Sequence, residues 1–237
     1  MGGIKKRIEK IWSENARLFM NVVHTSQREV LHPLLAKLIN SENHEKILDF
    51  GCGDGRILRL LKKNILVDIY DKNKEMLDLA NNHMGSRINK CFENIDSIPD
   101  NCYDAVLCSM VLICIDNESE FTQVLKSIKR VKKVSGKAYF AITHPCFRDR
   151  NFSNFSTSYG NEQPFAYHEE GADFGVTIED KNSMPILFTD YHWSISFTIN
   201  KMIEAGLMIE RLIETKDDMN HVNANNLYSP YLIFITK

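Results

Sequence analysis

The stretch Lys46-Ile47-Leu48-Asp49-Phe50-Gly51-Cys52-Gly53-Asp54-Gly55-Arg56-Ile57-Leu58-Arg59-Leu60-Leu61 decides how this chain folds. An apolar run stops at an acid, glycines follow at alternate positions, and apolar residues then recur at 57, 58, 60 and 61. The pattern predicts a strand, a tight turn and a helix. Alternate glycines permit positive backbone dihedrals and leave no side chain between the turn and a ligand, while a helix start offers unpaired N–H groups. A nucleotide-type ligand is expected at this turn.

The spacing narrows that ligand. A dinucleotide fingerprint is GxGxxG, with its third glycine packed between helix and strand. Here the order is GxGxG and Arg56 holds the helix-packing position, which argues against a nicotinamide or flavin. With Asp49 two residues before Gly51, the stretch resembles motif I of the class I S-adenosylmethionine-dependent methyltransferases. The resemblance extends over roughly residues 45 to 237. It implies an α/β fold: a seven-stranded, mostly parallel Rossmann-like sheet with an antiparallel last strand and helices on both faces. It also implies S-adenosyl-L-methionine as cofactor and S-adenosyl-L-homocysteine as product, with Asp49, Gly51, Cys52 and Gly53 at the cofactor.

Further landmarks follow in order. Ile65 to Asp71 reads as a second strand and Lys72 to Ala80 as a helix. An acid about 20 residues beyond the glycine turn suits the two hydroxyls of a ribose. Asp71 fits that place better than Asp68, which falls inside the strand, although Asp71 could also serve only as a helix cap. Lys72 and Met76 accompany it. Arg87 to Phe92 reads as a third strand, and the following loop resembles the family's adenine loop, with Asn94 where many relatives have an aspartate and Ile95 at the ring-packing position. Tyr103 to Ser109 is a buried strand that runs on toward Ile115, and in the family Ser109 and Met110 would line the cofactor cleft. A helix through Phe121, Val124, Leu125 and Ile128, a turn at Ser135-Gly136 and a fifth strand from Lys137 to Thr143 come next.

Immediately after that strand stands Thr143-His144-Pro145-Cys146-Phe147, and His192 precedes the last long helix. Ligands of open α/β sheets bind at the carboxyl ends of strands, so both histidines are candidate general bases, with loop-bonding roles as the alternative. Residues 146–190 mix aromatics with Ser, Asn and Gly and are expected to form an irregular acceptor-binding lid. Tyr159, Tyr167, Tyr191 and Trp193 are its candidate acceptor contacts. Strands at 208–214 and 228–236 complete the sheet. Near the start, Ile4, Ile8, Ile11, Trp12 and Phe19 predict a helix, and Val30 to Ile39 predict another with Pro33 at its start. Trp12 resembles a tryptophan that the family folds over the cofactor, or it anchors that first helix.

The expected organisation is an N-terminal helical cap over 1–44 and a methyltransferase domain over 45–237, with 146–190 as its lid. With 237 residues, 43% hydrophobic and 25% charged, the chain can bury one large core. Its net charge of -2 gives no electrostatic reason to expect nucleic acid. The six cysteines form no CxxC pair, so neither a zinc site nor a disulfide framework is signalled. No apolar run reaches the length of a membrane span or a signal peptide, and a cytoplasmic protein is expected. The expected reaction is methyl transfer to an oxygen or nitrogen of a small molecule. A tRNA or rRNA methyltransferase, or a binder of the cofactor without turnover, is the alternative.

Overall fold

The computed structural model describes residues 22, 26–150, 152, 155–158, 166–179, 182, 184–216 and 228–237. Trp12, Tyr159 and the predicted first helix lie outside the described residues. The apolar runs form strands as their composition demands: β1 (Lys46–Phe50), β2 (Leu66–Tyr70), β3 (Ile88–Phe92), β4 (Tyr103–Ser109) and β5 (Lys132–Thr143). Between them lie helices α1 (His32–Asn40, entered through a π-turn at Gln27–Leu31), α2 (Lys74–Met84) and α3 (Glu118–Val131). Asparagine caps start two of them. Asn73 accepts from the Glu75 N–H and Asn117 from the Glu120 N–H, satisfying amides that the first helical turn leaves unpaired.

A small sheet of β6 (Phe155–Ser158), β7 (Asp173–Glu179) and β8 (Pro185–Tyr191) follows. The chain then forms α4 (Ile195–Glu204), β9 (Ile209–Glu214) and β10 (Tyr231–Thr236).

The seven-stranded sheet has the order β3-β2-β1-β4-β5-β10-β9. Neighbours from β3 to β5 are parallel, whereas β10 runs antiparallel to both β5 and β9. The strand order reverses around β1, which pairs with β2 on one side and β4 on the other, and ligands of such sheets bind beyond the carboxyl ends at that point. Alternate strand residues feed opposite faces. Ile47, Val67 and Leu107 pack with Leu35, Leu58 and Leu77 on one side; Leu48, Val106 and Phe140 pack with Phe121, Leu125 and Met202 on the other. Both faces of the central strands are buried, which is why these strands read as continuous apolar runs, whereas the edge strands β3 and β9 are largely exposed. Among the described residues, no helix is long and apolar enough to cross a membrane.

Four local expectations are corrected. The amphipathic run after the glycine turn is a short 3-10 helix, Arg56–Leu60, because Gly55 enters it in the left-handed region and Leu61 is already extended. The fourth strand ends at Ser109, where Met110 turns to φ +59°. Ser135-Gly136 is no turn but an irregularity inside the longer β5, and a Cβ at Gly136 would lie 2.8 Å from the Tyr103 carbonyl oxygen. The stretch 146–190 is not irregular throughout. Phe174 to Ile178 and Ile186 to Asp190 alternate with period two, and β7 pairs with β8 in the register Phe174↔Asp190, Val176↔Phe188, Ile178↔Ile186. That register places these side chains on one face, where Phe174, Val176, Ile186 and Phe188 are buried around Val22.

Candidate active site

A cavity of about 680 Å³ opens at the carboxyl ends of β1, β2 and β4 and extends to the face of the small sheet. One end is built from the glycine turn. Gly51, Gly53 and Gly55 all have positive φ, as the sequence requires, so the chain reverses tightly between β1 and the 3-10 helix. A Cβ at Gly51 would collide with Val111 at 2.3 Å, whereas a Cβ at Gly53 would meet nothing within 4 Å. The first glycine lets β4's continuation close on the turn, and the second leaves space in the cavity.

Asp71, at the end of β2, pins this turn: its carboxylate accepts from the Gly53 N–H at 3.0 Å and the Asn73 N–H at 2.9 Å. Each oxygen keeps a second lone pair for a ligand hydroxyl. Burial raises its pKa, opposed by those two hydrogen bonds. Asp49 lies deeper, 3% exposed, and its Oδ2 has no hydrogen-bond partner among the described residues. Burial, with Asp71 and Asp54 nearby, pushes its pKa up to about 7. A buried carboxylate of this kind invites a cation. Asp68 has a different task. It is fully buried and accepts from the Tyr103 hydroxyl and the Asn89 amide while pairing with Lys46 at 3.2 Å.

The cavity brings together Asp49, Gly51, Cys52, Gly53, Asp71, Lys72, Met76, Ser109 and Met110. Asn94 and Ile95 are not among the residues that line it. The Asn94 side-chain oxygen Oδ1 is taken by the Asp96 N–H at 2.9 Å, capping a short helix, and Ile95 packs toward the core.

The histidines are corrected too. His144 is 3% exposed and both its ring nitrogens are engaged, Nδ1 accepting from the Cys146 N–H at 3.2 Å and Nε2 meeting Glu214 at 2.8 Å. Burial lowers its pKa, with Glu214 opposing, so the neutral ring donates through Nε2. His192 is fully buried, and its Nε2 donates to the Tyr167 carbonyl at 2.8 Å. Neither ring lines the cavity. Tyr167, Tyr191 and Trp193 are likewise not part of its lining: the Trp193 indole stacks on Phe197 and donates to the Ile115 carbonyl at 3.0 Å, and the Tyr167 hydroxyl accepts from the Ile195 N–H at 3.0 Å. These residues fasten the small sheet and α4 to the main sheet.

The far end of the cavity is walled by Phe155, an aromatic of the expected lid, and by residues the sequence reading did not single out: Thr143, Val176, Ile178, Phe188 and Tyr231, with Asp190 among them. Asp190 is 6% exposed, and burial pushes its pKa up to about 7 while Arg148 opposes. The period-two alternation of 174–178 and 186–190 was the available signal. Ser26, Gln27 and His32 line the cavity from the N-terminal side, and burial holds His32 neutral by lowering its pKa to about 4.

Residues 47–136 match the family model of the methyltransferase domain. The chain is 23% identical over 205 residues to an uncharacterized protein of Haemophilus influenzae, covering 77% of this chain and 74% of that one. Among solved structures it resembles an S-adenosylmethionine-dependent methyltransferase described as putative, from Listeria monocytogenes (TM-score 0.60, 21% identity, 87% of this chain and 97% of that one). It also resembles the N-methyltransferase NodS of Bradyrhizobium japonicum in complex with S-adenosyl-L-homocysteine (TM-score 0.58, 12% identity, 89% and 86%). These structural likenesses speak for the fold. The matched segment begins in β1, contains the acid and all three turn glycines, and ends in β5, so the part of the chain that matches a methyltransferase domain is the part that builds the glycine-turn end of the cavity.

Proposed function

We propose that this chain transfers a methyl group from S-adenosylmethionine to a nitrogen or oxygen of a small molecule held between the glycine turn and the β6–β8 sheet. The observation that carries this reading is the continuity of one cavity from Gly53 and Asp71 to Val176, Phe188 and Asp190, with largely apolar walls at the second end. Its size is that of a small-ligand site.

The residues fit the cofactor. Asp71 would accept from the ribose hydroxyls, Asp49 would face the cofactor's ammonium through its unpartnered oxygen, and the open space over Gly53 would admit the amino-acid portion. When bound, S-adenosylmethionine supplies an electrophilic methyl on a sulfonium. The protein would contribute alignment of acceptor and methyl and exclusion of water, for which the largely apolar far end is suited. The β6–β8 sheet and its flanks in 146–190 act as the acceptor-binding insertion of the 45–237 domain. The net charge of -2 supports a small acceptor over a polynucleotide.

Calorimetric titration with S-adenosylhomocysteine, followed by methyl-transfer assays on pools of small amines and alcohols and on tRNA, tests the reading. Binding with turnover confined to the small-molecule pool supports it. Turnover confined to tRNA would replace it.

A further inference from the structure

Among the described residues, the acceptor end of the cavity is lined by one charged group, Asp190, amid largely apolar walls. Asp190 stands on the inward face of β8, opposite Phe174 in the β7 register, with Phe188 two residues before it and Val176 across the strand pair. Cross-strand neighbours on the same face fix its direction into the cavity. Arg148, buried beside Phe174 with its guanidinium 4.7 Å from that ring, also donates to Thr143 and is not among the lining residues. Among the described lining residues of this end, an anionic acceptor would therefore meet a carboxylate and no cation, the Arg148 guanidinium standing behind the wall, whereas an ammonium would meet its counter-ion in a low-dielectric pocket.

Building on the proposed methyl transfer, we infer that the acceptor is a small apolar amine and that Asp190 is the residue that binds its ammonium and removes its proton. The amine enters protonated and pairs with the Asp190 carboxylate. One proton passes from nitrogen to Asp190, leaving a lone pair on nitrogen. That pair forms the new N–C bond as the methyl's bond to sulfur breaks, its electrons staying on sulfur to give the thioether. The product leaves as a methylated ammonium and the proton on Asp190 passes to solvent, so one proton is released per methyl moved. A residue for this step must titrate near neutrality. Asp190 does so, with a pKa of about 7. Of the groups facing it, Arg148 stays charged, and burial raises Cys114 and Tyr191 above their ordinary values, so neither titrates there.

The test is calorimetric binding of matched fragments to the protein saturated with S-adenosylhomocysteine: benzyl, phenethyl, cyclohexyl and hexyl frames, each as amine, alcohol and carboxylate. Amines should bind at least about tenfold more tightly than their alcohol and carboxylate partners. That preference should fall as pH drops below 7 and vanish in Asp190→Asn, which is close in shape and relieves a buried charge. Asp190→Glu should keep part of the preference. The idea is overturned if carboxylates or alcohols bind as well as amines, if no amine binds, or if the preference survives in Asp190→Asn. S-adenosylhomocysteine titrated into the same samples separates the two failures. Cofactor-product binding without amine preference defeats only this inference, while absence of that binding defeats the proposed function beneath it.

Discussion

At one end of the cavity the wall is largely backbone and strand-end acids; at the other it is side chains standing on a separate three-stranded sheet. The glycine turn presents Gly53 without a Cβ, and Asp71 holds the turn through main-chain N–H groups. The opposite wall is made of Phe155, Val176, Ile178 and Phe188, from three strands, the first two joined by a long connection and the last two by a short one. A backbone-built site is fixed by local conformation and tolerates little change. A side-chain-built wall can be recut residue by residue while the sheet stays paired, which is how one fold can serve many acceptors. On the proposed function, the first end takes the constant ligand and the second the variable one.

Substitutions ranked by size can break this division. The largest effect should come from Gly53→Val. A β-branched residue at φ +53° is strained and its methyls enter the open cavity space, so S-adenosylhomocysteine affinity should fall by at least about a hundredfold in calorimetry while the circular dichroism spectrum is retained. Asp71→Ala comes next. It removes the acceptor for two backbone N–H groups as well as any ribose contact, and hydrogen bonds to a charged group are worth roughly 1.5 to 3 kcal/mol each. A ten- to hundredfold loss of affinity and a lowered melting temperature should appear together.

A smaller effect, and one of opposite sign for stability, is expected at Asp49. Its folded pKa of about 7 stands above the ordinary 3.8, so the folded state holds the proton more tightly than the unfolded chain. Its contribution therefore favours folding at low pH and is lost as pH rises from about 4 through 7. Asp49→Asn should stabilise the ligand-free protein at pH 8 by on the order of 2 kcal/mol and do little at pH 4, while weakening S-adenosylhomocysteine binding. Melting curves at the two pH values check the sign. An unchanged gap between wild type and variant would show that Asp49 is not a desolvated acid.

The smallest effect on turnover should come from His144→Gln. With both ring nitrogens committed to the Cys146 N–H and Glu214, its loss should cost about 1 to 2 kcal/mol of stability and no more than a few-fold in rate, leaving the pH dependence of turnover unshifted. A hundredfold loss with a vanished inflection would restore it as a base.

The same division explains what could be read from residues alone. The turn was legible because its chemistry is local: an acid, alternate glycines and a second acid at a strand end. Asp68 and Asp71 separated on spacing, and their partners differ accordingly, Tyr103, Asn89 and Lys46 for one and the turn N–H groups for the other. The histidines misled because position after a strand says which end of the sheet a residue occupies, not where its ring points. The direction of His144 is decided by Glu214, 70 residues away. Asn94 misled for a local reason, since its side chain was better placed to cap its own short helix than to reach a ligand. Asp190 was overlooked because its place on the inward face depends on the β7–β8 register opposite Phe174, and the exposed Leu187 blurs the alternation of its strand.

The most direct test of the two-ended account is one set of calorimetric titrations, S-adenosylhomocysteine into wild type, Asp71→Ala and Asp190→Asn at pH 8. The account predicts clear binding to wild type, an affinity at least about tenfold weaker in Asp71→Ala, and an affinity within about twofold of wild type in Asp190→Asn. Equal losses in the two variants, or no loss in Asp71→Ala with its fold intact, would contradict it.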